Sequence, residues 1–250
     1  MSQQNHGKLA KSLLIRLCKS DIIVLPNRSW VSGLRRYFFE GLSSIEASRT
    51  MTGRVISISV PEAASAKDRL FELQVGQHRH DEAYHREIAR LSIHQRLNHM
   101  ALHFAKYVGK VATATTVRDS VPVFVDMLII ALSVANILNV RLWDLLATNN
   151  QEYPGLLSFG RSLAGTHASD IATIERVVLA AAKPVGRMAA ACEKIDHLES
   201  VAFRTEIAAS ISGLAAIALA VIAAHGIEPA QAVDERLEGV KKRSVLHGRI

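Results

Sequence analysis

Cysteine is nearly absent from this 250-residue sequence: Cys18 and Cys192 stand far apart, with no CxxC pair and no Cys/His spacing around either. That excludes a disulfide framework and a zinc finger, and it fits a reducing cytoplasm. Aromatic residues make up only 5%, and glycine and proline number 14 and 6, which gives an all-β architecture little support. No GxxxxGK[ST] loop, no GxGxxG after a strand, no GxSxG and no HExxH occur. P-loop and Rossmann nucleotide binding are thereby disfavoured, and nothing invites Ser/His/Asp catalysis.

What is abundant is Ala, Leu, Ile and Val, within a hydrophobic content of 49%. Wholesale disorder is excluded, and helices packed on helices are the expected architecture. The chain is long enough for one large domain or two ordinary ones.

The net charge of +7 is uneven. Residues 1–80 carry 12 Lys/Arg against 6 Asp/Glu, residues 81–150 carry 7 against 6, and residues 151–250 carry 11 against 11. A basic N-terminal lobe suggests an anionic partner such as nucleic acid, phosphate groups or a membrane surface, with solubility alone as the competing reading. "KLAKSLLIRLCKS" is interrupted by Arg16 and Lys19, so no secretory leader is expected. Residues 207–224 are free of charge but rich in Ala, Ser and Gly, which favours a central bundle helix over a transmembrane segment.

Residues 1–80 read as a small mixed α+β module: a basic amphipathic helix over "HGKLAKSLLIRLCKS", strands at "DIIVLP" and "RVISISV", and helices over "SWVSGLRRYFFEGL" and "PEAASAKDRLFEL". "GQHRHD" at 76–81 reads as the linker out of it. Only helices are expected beyond: about 82–114, 121–138, a short one over "RLWDLLAT", then 169–182, 184–200, 201–224 and a last one from about Glu228 into the basic "KKRSVLHGR".

Two segments repeat. "MALHFAKYVGKVATA" from Met100 aligns with "MAAACEKIDHLESVA" from Met188, pairing Lys106 with Lys194. "ALSVANILNVRLWDLL" from Ala131 aligns with "ALAVIAAHGIEPAQAV" from Ala218. Nearly equal offsets of about 88 residues argue for duplicated units, 81–150 and 151–250, each too small to bury both faces of its helices.

The unit resembles the MazG-like, all-α nucleotide pyrophosphohydrolases. The likeness lies in a long helix with a "VGKVA" core, an apolar helix introduced by an acid ("VFVDMLIIALSVAN"), and then "ILNVRLWDLL" or "AAHGIEPAQAVDERLEGVKKRS". It covers roughly residues 85–250. The resemblance implies cleavage of a nucleoside triphosphate to monophosphate and pyrophosphate, with four carboxylates from two helices holding Mg²⁺. Where the family's first helix reads Glu-Glu-x-x-Glu, this chain has Lys106, Tyr107 and Lys110; where the second reads Glu-x-x-Asp, it has Val123 and Asp126. An ammonium in place of a ligand puts positive charge where the cation belongs.

In the second unit Glu193, Asp196 and Glu199 are spaced three apart, with Glu206 near the start of the next helix. They form a candidate Mg²⁺ site, against which stands a solvated helix face. His99 and His103, one turn apart, either share a metal or pack within the bundle, and further histidines cluster in "HRHDEAYH". In the N-terminal module Arg28, Arg35 and Arg36 are interleaved with Trp30, Tyr37 and Phe38, a pattern that suits phosphate contacts and base stacking, or equally a buried aromatic face with solvated arginines.

The sequence therefore leads us to expect a mainly α protein, a tandem MazG-like helical bundle behind a basic module. The expected function is a catalytically weakened or inactive pyrophosphohydrolase relative that binds nucleotide or phosphate ligands through Lys106 and Lys110, or acts in assembly, including as a homo-oligomer. The alternatives are an active Mg²⁺-dependent enzyme and a nucleic-acid-associated scaffold.

Overall fold

The computed structural model describes residues 64–147, 151–245 and 247–249. The expected module elements before residue 64, with Arg28, Arg35 and Arg36, lie outside the described residues. Contacts divide the chain into residues 1–62 and a compact unit, residues 63–250. All regular structure among the described residues of that unit is helical.

The helices are α1 (Ala66–Tyr84), α2 (Arg86–Ala89), α3 (Ile93–Ala112), α4 (Val121–Leu138), α5 (Leu142–Leu146), α6 (Leu156–Thr166), α7 (Ile174–Asp196), α8 (Phe203–Ala224) and α9 (Pro229–Arg243). A 3₁₀ turn, Arg118–Ser120, leads into α4. Helices α4 and α8 form the centre. Each buries 13 residues, and they pack on each other, with α3 and α7 alongside and α1, α6 and α9 closing the remaining faces. Both are long and apolar enough to cross a membrane by length and composition, yet here most of each is covered by neighbouring helices.

Local chemistry sets the boundaries. Ser65 caps α1 by accepting the Asp68 N–H, and Ser92 and Gln95 form a reciprocal capping box that starts α3. Pro122 opens α4 and Asn139, in the left-handed region at φ 52°, ends it. The buried Gln74 ties α1 to the centre: its amide donates to Asn136 Oδ1 and to the Val140 carbonyl, and its carbonyl accepts the Leu142 N–H that begins α5.

Three expected boundaries are corrected. Residues 76–81 are the middle of α1 and not a linker, because Gln77 and His80 continue its buried stripe. The expected helix over 82–114 is interrupted at His85 and again before the Ser92 cap. Conversely, the helices expected over 169–182 and 184–200 are one helix. Pro184 lies inside α7 and lacks an N–H to donate, but the stripe of Val177, Ala181, Val185, Met188 and Ala191 is buried on both sides of it and carries the helix through. An unexpected helix, α6, packs so closely on α8 that a Cβ on Gly160 would stand 2.6 Å from Ala223 Cβ.

Candidate functional site

A cavity of about 210 Å³ opens between α1, α3, α4 and α9. Its polar wall comes from α1 and the break behind it (Gln77, His80, Asp81 and His85), from α3 (Arg96, His99, His103 and Tyr107), from α4 (Asp126 and Ser133) and from Arg236 of α9. Its apolar wall includes Met100, Ile129 and Leu237. On α3 the lining residues 96, 99, 103 and 107 follow helical spacing, so one face of that helix is devoted to the cavity.

The acids of this cavity are already engaged. Asp126 accepts two hydrogen bonds from Arg236, from Nε at 2.6 Å and from the terminal nitrogen at 2.9 Å. Asp81 accepts from Gln77 Nε2 at 2.8 Å and from Ser133 Oγ at 2.6 Å. Burial works against ionising Asp81, but the Ser133 and Gln77 donors help hold the carboxyl below its ordinary value.

The bases form a directed chain. Lys106 Nζ donates to His103 Nδ1 at 3.1 Å, so a neutral His103 carries its hydrogen on Nε2, which stands 3.1 Å from His99 Nε2 and donates to it. Desolvation, followed by the positive charge of Lys106, pushes His103 down to about 4 and keeps it neutral at physiological pH. Tyr107 lies one turn further along, with Lys106 Nζ 4.6 Å and Lys110 Nζ 5.7 Å from its ring centroid. Burial pushes the phenol up to about 12, so Tyr107 stays a neutral donor. Both lysines are exposed. Lys106 nevertheless touches the rings of two cavity-lining residues, His103 and Tyr107, although it does not itself line the cavity.

Arg96 differs from Arg236. It lines the same cavity, forms no ion pair among the described residues, and its buried Nε has no hydrogen-bond partner. A guanidinium with no carboxylate partner among the described residues, in a cavity that several imidazoles also line, makes the cavity receptive to an oxyanion.

The structure does not bring together the four acids read as a Mg²⁺ site. Glu193 and Asp196 are exposed on α7, Glu199 is exposed in the turn after it, and Glu206 is half-buried in the first turn of α8. Asp196 instead stands 3.4 Å from His94 Nε2, linking α7 to α3. Among the described residues, the one group of at least three His, Cys, Asp or Glu with ligand atoms within 4.8 Å of one another is His80, Asp81 and His85. His99 and His103 are not in such a group; they pair with each other.

Sequence reading missed Arg96, Asp81, Ser133 and Arg236 as site residues. The run "HRHDEAYH" carried a signal for Asp81, since histidines beside an acid crowd one short stretch. Nothing local marked Arg236, which reaches Asp126 across 110 residues of sequence. Neither protein-family models, curated proteins nor solved structures gave a match to this chain.

Proposed function

We propose that the protein is a receptor for a phosphate-bearing small ligand, built on a MazG-like bundle whose first unit has exchanged its metal-binding carboxylates for cations, leaving a catalytically weakened or inactive pyrophosphohydrolase relative. The observation that carries this reading is Arg96, a cavity-lining arginine that forms no ion pair among the described residues. Lys106 supports it, because its ammonium contacts the rings of two cavity-lining residues, His103 and Tyr107. Asp126, the acid left of the expected set, is paired with the Arg236 guanidinium, whose positive charge beside the carboxylate argues against a magnesium ion there. A tandem origin is supported by the element order, a long helix followed by an apolar helix, which occurs twice as α3, α4 and α7, α8, each followed by a further helix, α5 of 5 residues and α9 of 15. The corresponding long and apolar helices pack on each other, α3 on α7 and α4 on α8.

The cavity's volume, about 210 Å³, is below the roughly 300–1,000 Å³ typical of sites that engulf a drug-sized ligand. It therefore suits a diphosphate or the phosphate end of a nucleotide, with any base outside. Calorimetric titration of chelator-treated protein with pyrophosphate and ADP tests this. Binding is expected for both, weakened about tenfold or more in R96Q and in K106Q through loss of a charge-assisted hydrogen bond. No binding of either ligand, or unaltered binding in both variants, overturns the reading.

A further inference from the structure

We propose that His80, Asp81 and His85 bind a divalent transition-metal ion of the Zn²⁺ type at the α1 wall of the cavity. The first ground is geometric. Residues 80 and 85 are five apart, which in a continuous helix turns them well off a common face. Here α1 ends at Tyr84 and His85 leaves the helix at φ −130°, ψ 43°, so its ring folds back to 5.4 Å from that of His80. Three ligand atoms thereby lie within 4.8 Å of one another. At a tetrahedral ion, bonds of about 2.0–2.2 Å put two ligands about 3.3–3.6 Å apart, so side-chain rotations that draw the three groups in by up to about 1.5 Å close the set.

The second ground does not depend on the clustering. The His80 side chain is only 4% exposed, it lines the cavity, and neither ring nitrogen has a hydrogen-bond partner among the described residues. Nδ1 is 3.9 Å from Asp81 Oδ1, too far for a hydrogen bond. A buried imidazole with both nitrogens unsatisfied is costly in an apolar bundle, and coordination through one of them relieves it. Asp81 is already held as a ligand carboxylate would be. Gln77 and Ser133 each donate to one of its oxygens, fixing its orientation and leaving a further lone pair on each.

The donor set decides the metal. Two imidazoles and one carboxylate suit Zn²⁺ and its first-row neighbours, whereas Mg²⁺ prefers an all-oxygen octahedron. The Mg²⁺ expected from sequence is thus replaced here by a softer ion on different residues. Three protein ligands leave positions open toward the cavity. The proposal stands whether or not the cavity takes phosphate.

The test uses the full, tag-free chain, stripped with chelator and titrated in phosphate-free buffer with Co²⁺ as a spectroscopic probe and Zn²⁺ as competitor. We expect one Co²⁺ per chain with visible d–d absorption, displaced by Zn²⁺. The absorption should be lost in H85Q and D81N, kept in H99Q, and shifted to about tenfold or more weaker affinity in S133A. His85 is half exposed, so H85Q spares the core, and its circular dichroism should match wild type. Absence of the band in wild type, its persistence in H85Q and D81N, or its loss in H99Q alone overturns the proposal. Titration of the stripped protein with pyrophosphate is a separate readout, so failure of the metal site is distinguishable from failure of the phosphate reading.

Discussion

Arg236 of α9 grips Asp126 of α4 through two hydrogen bonds, a fork-to-carboxylate pair that spans 110 residues of sequence and closes one side of the cavity. The Asp126 side chain is 13% exposed and that of Arg236 39%, so one partner is desolvated and the other half in water. Removing the arginine strands a nearly buried carboxylate. A fully buried pair broken in this way costs about 3–5 kcal/mol. Solvent around Arg236 reduces this, and we expect about 1–3 kcal/mol for R236Q, with part of the loss recovered in the D126N/R236Q double variant. Urea denaturation of the four members of the cycle measures it, and strict additivity would show that the pair contributes no coupling.

The low proton affinity of His103 makes stability depend on pH. Its folded pKa, about 4, is below the ordinary histidine value of 6.5, so the unfolded chain binds the proton first as pH falls. Stability is then fully present above pH 6.5 and declines as the pH drops toward 4. The slope should be below the one-proton limit of about 1.4 kcal/mol per pH unit, because the ring is only half-buried and water screens it. Urea midpoints between pH 7.5 and 4.5 should fall more steeply for wild type than for H103Q. Parallel curves would mean that His103 protonates as easily folded as unfolded.

These residues also show why some of the molecule could be read from sequence and some could not. Helix α4 runs from Val121 to Leu138 as its apolar run, interrupted only by Asp126 near the start, predicts, and α8 departs from expectation by two residues at its start. Both are central helices whose composition alone announces them. Helix α1 defeated the same reasoning because its inward stripe turns polar. After Leu70 and Leu73 the buried positions are Gln74, Gln77 and His80, which have no hydrophobic period to detect. The stretch read as a linker is the wall of the cavity, and the pattern breaks where the candidate site is built. Lys106 and Lys110, both exposed, were singled out because a family pattern made them conspicuous. Arg96 was not, because an arginine in a polar helix is ordinary until its missing partner is seen.

Cys192 should be chemically quiet. It is 5% exposed on the buried face of α7, and desolvation, with a smaller contribution from Asp196, pushes its thiol up to about 11. In a C18S background, native protein at pH 8 should react with a disulfide reagent only as fast as it opens, and denaturant should release the thiol to full reactivity. Native labelling at the rate of a free thiol would place Cys192 in water.

The contact between α6 and α8 depends on one missing side chain. A Cβ at Gly160 would come within 2.6 Å of Ala223 Cβ and 2.9 Å of the Leu219 carbonyl oxygen, so the two helices must move apart to accept it. One of those obstacles is backbone and cannot rotate away. Overpacking of this kind costs about 1–3 kcal/mol, against which alanine returns up to about 1 kcal/mol of helix propensity. Gly186, on exposed α7 surface, meets nothing within 4 Å and feels only the propensity term. G160A should therefore lower the urea midpoint while G186A raises it, the second by about 0.5–1 kcal/mol. Because the two substitutions are chemically identical and both lie inside helices, opposite signs isolate the interhelical contact. A stabilised G160A would mean that α6 does not seat on α8 as closely as this packing requires.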